Sequence, residues 1–229
     1  MDKGHSVINT SPKIRIIKPK RLEKEGSVLL DIEYVVRDKD GNEVSRKQEY
    51  GDSFVANFIK ILFCACMKHH APDTGSVVTL TDTSNTVRTG SVIWAAYNAT
   101  GTYKCNALSG NDDYGLLVGT GITPTDINDY ALDTKIEEGT GAGQMEYGNH
   151  SIVNSTHDGS SYSYAGITRT VANNSGGSIV VAEVGLVCYM DWDSSTDRCF
   201  LLIREVLGTA VTVLDTQTLT ATVRIKCYC

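Results

Sequence analysis

Thr218-Leu-Thr-Ala-Thr-Val-Arg-Ile-Lys226 alternates without a break, placing Leu219, Ala221, Val223 and Ile225 on one side and Thr218, Thr220, Thr222, Arg224 and Lys226 on the other. A period of two is the signature of a strand with an apolar and a polar face. Working outward from it, Ile167 to Val171, Ser178 to Tyr189, Cys199 to Val206 and Ala210 to Leu214 read as further strands. They are parted by turn residues at Asn173-Asn-Ser-Gly-Gly177, Asp191-Trp-Asp-Ser-Ser-Thr-Asp197 and Asp215-Thr-Gln217. Val77 to Leu80 and Thr86 to Arg88 flank a turn at Asp82-Thr-Ser-Asn85, while Ser91 to Tyr97 and Gly115 to Gly119 read as buried strands. Nearer the start, Ser27 to Arg37 runs into Asp38-Lys-Asp-Gly-Asn42, a hairpin signal, and Glu43 to Tyr50 returns.

One helix is expected, from Phe54 to Lys68 with Asp52 or Ser53 as its N-cap. Phe54, Phe58, Ile61, Leu62 and Ala65 share a face at helical spacing, so the helix should pack flat on a sheet. Its few other polar residues predict burial on more than one side. The pattern predicts a mainly β protein: an antiparallel β-sandwich, jelly-roll-like, with one packed α-helix. Residues 1–12 read as an extended arm and 13–229 as a single sandwich domain with its helix near 53–68.

Composition agrees with that class. The chain has 229 residues, a formal net charge of −6, 41% hydrophobic residues, 21 Gly and only 4 Pro. These values exclude a collagen, a wholly disordered chain and a nucleic-acid binder that works by bulk positive charge. No secretory leader and no membrane span are expected. Residues 1–50 hold about half of the 21 Lys and Arg, crowded at Lys13, Arg15, Lys18, Lys20, Arg21 and Lys24, and the remainder is acidic. A basic end on an acidic body reads either as a docking strip for an acidic neighbour, including another copy of the chain, or as a solvated charged strand.

Sites of chemistry are few. Cys64, Cys66, His69 and His70 have the elements of a zinc site, but on a helix Cys64 and Cys66 fall on nearly opposite faces and cannot reach one tetrahedral ion. Asp191, Asp193, Ser195 and Asp197 stand at alternate positions, as oxygen ligands do in calcium loops. That loop nevertheless carries Thr196 where the sharp turn needs Gly, and Leu202 where a bidentate Glu belongs; a polar hairpin tip is the plainer reading. Gly119-Thr-Gly121 and Gly139-Thr-Gly-Ala-Gly143 lack the following Lys and Ser/Thr of a phosphate-cradling loop and read as flexible turns. The five histidines fall in the arm, at the helix end or in polar loops, none beside a nucleophile motif. No enzyme and no cofactor are expected.

Seven cysteines exceed what a core of this size needs, and an odd number leaves at least one thiol free or bonded to another molecule. The candidates for disulfides are Cys105, Cys188, Cys199, Cys227 and Cys229. Cys188 and Cys199 flank one hairpin, and Cys227 and Cys229 close the chain on one side of its last strand, available for a link between subunits.

Three stretches carry a resemblance. They are Gly115-Leu-Leu-Val-Gly-Thr-Gly-Ile-Thr-Pro-Thr-Asp-Ile-Asn-Asp-Tyr-Ala-Leu-Asp-Thr-Lys-Ile136, Ile167-Thr-Arg-Thr-Val-Ala-Asn-Asn-Ser-Gly-Gly-Ser-Ile-Val-Val-Ala-Glu-Val-Gly-Leu186, and Leu201-Leu-Ile-Arg-Glu-Val-Leu207 with Val211 to Val223. Together with Tyr50-Gly-Asp-Ser-Phe-Val-Ala-Asn-Phe58 they resemble structural proteins of tailed-bacteriophage virions; Arg204-Glu205 stands where that style has Arg-Asp. The resemblance implies a non-enzymatic head, neck or tail component, located in the virion and assembled in the host cytoplasm. It would form a homo-oligomer with other virion proteins as partners, reinforced by intersubunit disulfides, with no membrane and no specific nucleic acid. The alternative is a receptor- or carbohydrate-binding module of a fibre or baseplate, stacking sugars on Tyr147, Tyr162, Tyr164 and Trp192.

Overall fold

Asp38 accepts backbone N–H bonds from Asp40 and Asn42 at 2.9 Å each, and Gly41 takes a positive φ of 85°, so the Asp-Gly step turns the chain where expected. The computed structural model describes residues 15–16, 28–67, 77–91, 103–157, 162–191 and 197–228. Its elements are β1 (Arg15–Ile16), β2 (Val28–Arg37), β3 (Glu43–Gly51), α1 (Ala56–Met67), β4 (Val77–Thr81), β5 (Val87–Ser91), β6 (Tyr103–Lys104), β7 (Gly115–Gly119), β8 (Glu146–His157), β9 (Tyr162–Ala172), β10 (Ile179–Asp191), β11 (Asp197–Val213) and β12 (Thr218–Tyr228). The chain is mainly β, with antiparallel sheets and, among the described residues, one short helix.

A six-stranded sheet runs β1-β3-β2-β12-β9-β8; a second runs β11-β10-β6, with β7 also on β10; β4 and β5 form a separate hairpin. Pairing is antiparallel except for the two-residue β1, which lies parallel to β3. Side chains from both larger sheets share one hydrophobic cluster, including Leu30, Ile32 and Tyr34 of β2, Leu219, Ala221 and Val223 of β12, and Val184, Phe200 and Leu201 of β10 and β11. Each fully buried Leu, Ile, Val or Phe of this kind contributes roughly 1.5–3 kcal/mol.

β12 follows its alternation: Leu219, Ala221 and Val223 are buried and Ile225 packs against them. Its polar face is tied to neighbouring strands. Thr222 Oγ1 lies 2.9 Å from Thr168 Oγ1, Arg224 reaches Glu33 at 2.9 Å, and Lys226 pairs with Asp31 at 2.7 Å.

Other elements depart from the sequence reading. The helix begins at Ala56, later than expected, because residues 53–55 are claimed by β11: Val55 N donates to Leu202 O at 3.1 Å and Arg204 N to Ser53 O at 3.3 Å. Neither Asp52 nor Ser53 therefore caps it. The Ser53 hydroxyl turns to Thr125 at 3.2 Å, and Ala56 N–H is satisfied by Ile127 O at 2.8 Å. Ile61 is buried, but Leu62 and Ile59 are exposed, so the helix is not covered on a second side by the described residues. Asn57, a polar break in an apolar run, is buried because it holds β4 through both amide atoms: Nδ2 to Thr81 O at 2.8 Å and Oδ1 from Thr81 N at 3.2 Å. β8 is a strand where polar loops were expected. Bulges at Tyr147/His150 and Val153/Thr156 interrupt its alternation. β11 merges two expected strands into one of 17 residues.

Candidate functional site

Residues 120–145 connect β7 to β8 without regular structure, yet they are held from beneath by buried charge. Glu183 on β10 sits at 0% exposure, and its carboxylate accepts backbone N–H bonds from Gly121 at 3.2 Å, Asp133 at 3.1 Å and Thr134 at 2.8 Å. Arg204 on β11 donates to the same carboxylate at 2.7 Å, to Asp129 at 2.8 Å and to Thr123 O at 2.9 Å. Gly119-Thr-Gly121 is thus neither a phosphate cradle nor a flexible turn. It wraps an internal carboxylate so closely that a Cβ at either glycine would lie within 2.5 Å of Glu183 Oε1. Burial opposes the charge on Arg204, but its bonds to Asp129 and Glu183 prevail and hold the guanidinium protonated.

A second clamp lies on the other sheet. Arg169 on β9 is buried and gives its guanidinium N–H groups to the carbonyls of Gly148 at 2.9 Å, Leu116 at 3.3 Å, Leu108 at 3.1 Å and Asn111 at 2.5 Å. It lies over the Tyr147 ring at 4.5 Å. Tyr147 in turn donates its hydroxyl to Ile136 O at 2.8 Å. His150 Nδ1 bonds Ala107 O at 2.9 Å while Nε2 accepts Leu116 N–H at 2.7 Å; burial pushes the ring's pKa down to about 4, so it is neutral.

What these clamps present is a fixed loop surface carrying bare apolar side chains: Ile122 is 76% exposed, Ile127 59% and Leu108 73%. The other side of the same loops walls a cleft of about 580 Å³, closed by the Asp82–Arg88 hairpin and by the ends of β10 and β11.

The residues singled out in the sequence fare unequally. Tyr147 is buried beneath Arg169 and offers no face to a sugar. Tyr162 and Tyr164 lie with ring centroids 6.0 Å apart and planes tilted by 44°, and Lys226 lies 4.7 Å over Tyr162; Trp192 lies outside the described residues. Cys105, Cys188, Cys199 and Cys227 are not joined to one another by disulfides. A Cys188–Cys199 bridge, one of the candidates in the sequence, is excluded by register: Cys188 is opposite Phe200 and Cys199 opposite Tyr189, so the two sulfurs leave opposite faces of the ladder. Cys227 is exposed, as expected of a terminal thiol, and Cys229 lies outside the described residues. Of the calcium-loop candidates, Asp191 ends β10 and Asp197 starts β11, while Asp193 and Ser195 lie outside. Of the basic strip, only Arg15 is described, in β1 at the sheet edge; Lys13, Lys18, Lys20, Arg21 and Lys24 lie outside, as do the arm at 1–12, His69 and His70.

The charged clamps were missed because their members are far apart in sequence. One signal was present: Asp129, Glu183 and Arg204 fall one in each of the three stretches that carry the resemblance. No protein-family model matches the chain, and no curated protein or solved structure matches it.

Proposed function

We propose that the chain is a non-enzymatic structural component of a tailed-phage virion, acting at the tail, the head–tail neck or the capsid surface as a homo-oligomer. The two larger sheets are read as the layers of a jelly-roll-like β-sandwich. One observation carries the proposal: residues 120–145 are locked by Glu183, Arg204 and Asp129, yet expose Ile122 and Ile127 to water. Apolar side chains on a surface already fixed by buried bonds lose little entropy on docking and gain by being covered, which suits repeated protein contacts. The cluster of basic residues from Lys13 to Lys24 in the sequence supplies charge that would suit the acidic body of a neighbour. Exposed Cys227 is available to link subunits once the assembly meets an oxidising environment.

The experiment is sedimentation of the purified chain at increasing concentration. A discrete oligomer well above the 24.8 kDa monomer supports the proposal. A monomer at every concentration, under oxidising and reducing conditions alike, contradicts self-assembly.

A further inference from the structure

The cleft behind the loop surface has the size of a small-ligand site, about 580 Å³, and a lining of unusual balance. Its floor is apolar, with Leu117, Leu132 and Val187. Tyr114 and Tyr189 form one wall, their rings 5.1 Å apart. Around them stand carboxylates and cations in nearly equal number. Two carboxylates are neutralised in place: Asp82 by Arg88 at 2.7 Å and Asp112 by Lys135 at 3.1 Å. Asp113 and Asp197 remain exposed, Asp113 taking one long bond from Asn111 Nδ2 at 3.4 Å. Arg198 bonds the Asp197 carbonyl through one terminal nitrogen at 3.1 Å, while its Nε–H is buried with no partner.

We infer that this cleft binds a neutral carbohydrate, a use independent of the proposed assembly role. A strongly charged ligand would meet charge of its own sign whichever way it entered. A sugar hydroxyl is donor and acceptor at once, so it can give to Asp113 or Asp197 and accept from Arg198. The C–H face of a sugar ring is apolar and fits a floor of aliphatic side chains beside tyrosine rings. Asp113, Asp197 and Arg198 are the orienting groups, and the aliphatic floor of Leu117, Leu132 and Val187 is the packing surface.

The test uses the full chain with a panel of neutral oligosaccharides, read by saturation-transfer NMR and titration. A heparin fragment and calcium chloride serve as charged probes. Saturable binding of at least one neutral glycan is expected. Affinity should fall about tenfold or more in Asp113→Ala and in Arg198→Gln, with unchanged melting temperatures; Asp113 is exposed, so its removal leaves the fold intact. Ile122→Asp, on the loop surface, should leave glycan binding unchanged. Absence of binding to every neutral glycan overturns the inference. So does binding of the charged probes alone, or binding that survives both cleft variants.

Discussion

Arg204 stands directly opposite Gly185, two residues along from Glu183, so its guanidinium reaches Glu183 diagonally on one face of the β10–β11 ladder, at 2.7 Å with both side chains almost wholly buried. Because Arg204 also holds Asp129 and Thr123, this pair converts an irregular loop into a fixed surface. Removing one partner strands the other charge in the interior. Arg204→Met should therefore cost about 3–5 kcal/mol in urea denaturation. The double variant Glu183→Gln/Arg204→Met should lose markedly less than the sum of the two single changes. Asp129→Ala should cost less than Arg204→Met, since the Asp129 side chain is 23% exposed. A loss under about 0.5 kcal/mol for Arg204→Met would mean that the lock does not hold the loop.

His150 predicts a pH dependence. Its Nε2 must stay unprotonated to accept the Leu116 N–H, and its pKa is lowered from 6.5 to about 4. Between these values the unfolded chain binds the proton and the folded chain does not, so stability is present above pH 6.5 and declines as pH falls toward 4. The slope is at most about 1.4 kcal/mol per pH unit and smaller for a partly solvated ring. An NMR titration of the ring should show an apparent pKa near 4; titration at the ordinary histidine value would remove the structural role given to it.

Tyr34 carries a hydroxyl that is buried and makes no hydrogen bond, and burial, with Glu49 and Glu205 nearby, raises its pKa well above the usual value. Tyr34→Phe should be neutral or stabilising by up to about 1 kcal/mol, because an unsatisfied polar group is deleted without loss of packing. Thermal denaturation decides it. A clear loss of stability would reveal a bond the folded chain makes to that oxygen.

Thiol chemistry separates the cysteines. Burial, then the charges of Asp113, Asp197 and Asp82, push Cys199 up to about 11, and Cys188 is fully buried, whereas Cys227 is exposed. Brief alkylation of the native chain near pH 8 should label Cys227 ahead of Cys199, and Cys188 only after unfolding. Mass spectrometry of the peptides checks the order. A Cys188–Cys199 linked peptide from the folded protein would contradict the register of β10 and β11.

The loop surface makes its own prediction. Ile122→Asp combined with Ile127→Asp should weaken self-association at least tenfold with little change in melting temperature, since both side chains are largely exposed in the monomer. Sedimentation compares the variants with the parent. Unaltered assembly would move the interface elsewhere.

Strands whose patterns are local were legible in the sequence. The Asp38 to Asn42 turn and the alternation of Thr218 to Lys226 need no tertiary information, and both are where they were expected. β8 was not legible, because its bulges at Tyr147/His150 and Val153/Thr156 break the period of two that marks a strand. The helix start was misjudged for a different reason: Ser53 and Val55 satisfy their backbone groups on β11, a partner about 150 residues away. The glycines at 119 and 121 had a local meaning as turns. Their actual one, a close wrap around Glu183, depends on a carboxylate about 60 residues further on.

The proposed role of this chain as a structural part of a phage particle is checked by quantitative mass spectrometry of purified particles from the genome that encodes it. The chain is expected in a fixed copy number per particle, retained through density-gradient purification and high-salt washing. Expression of the chain in infected cells, together with its absence from the purified particles, would contradict it.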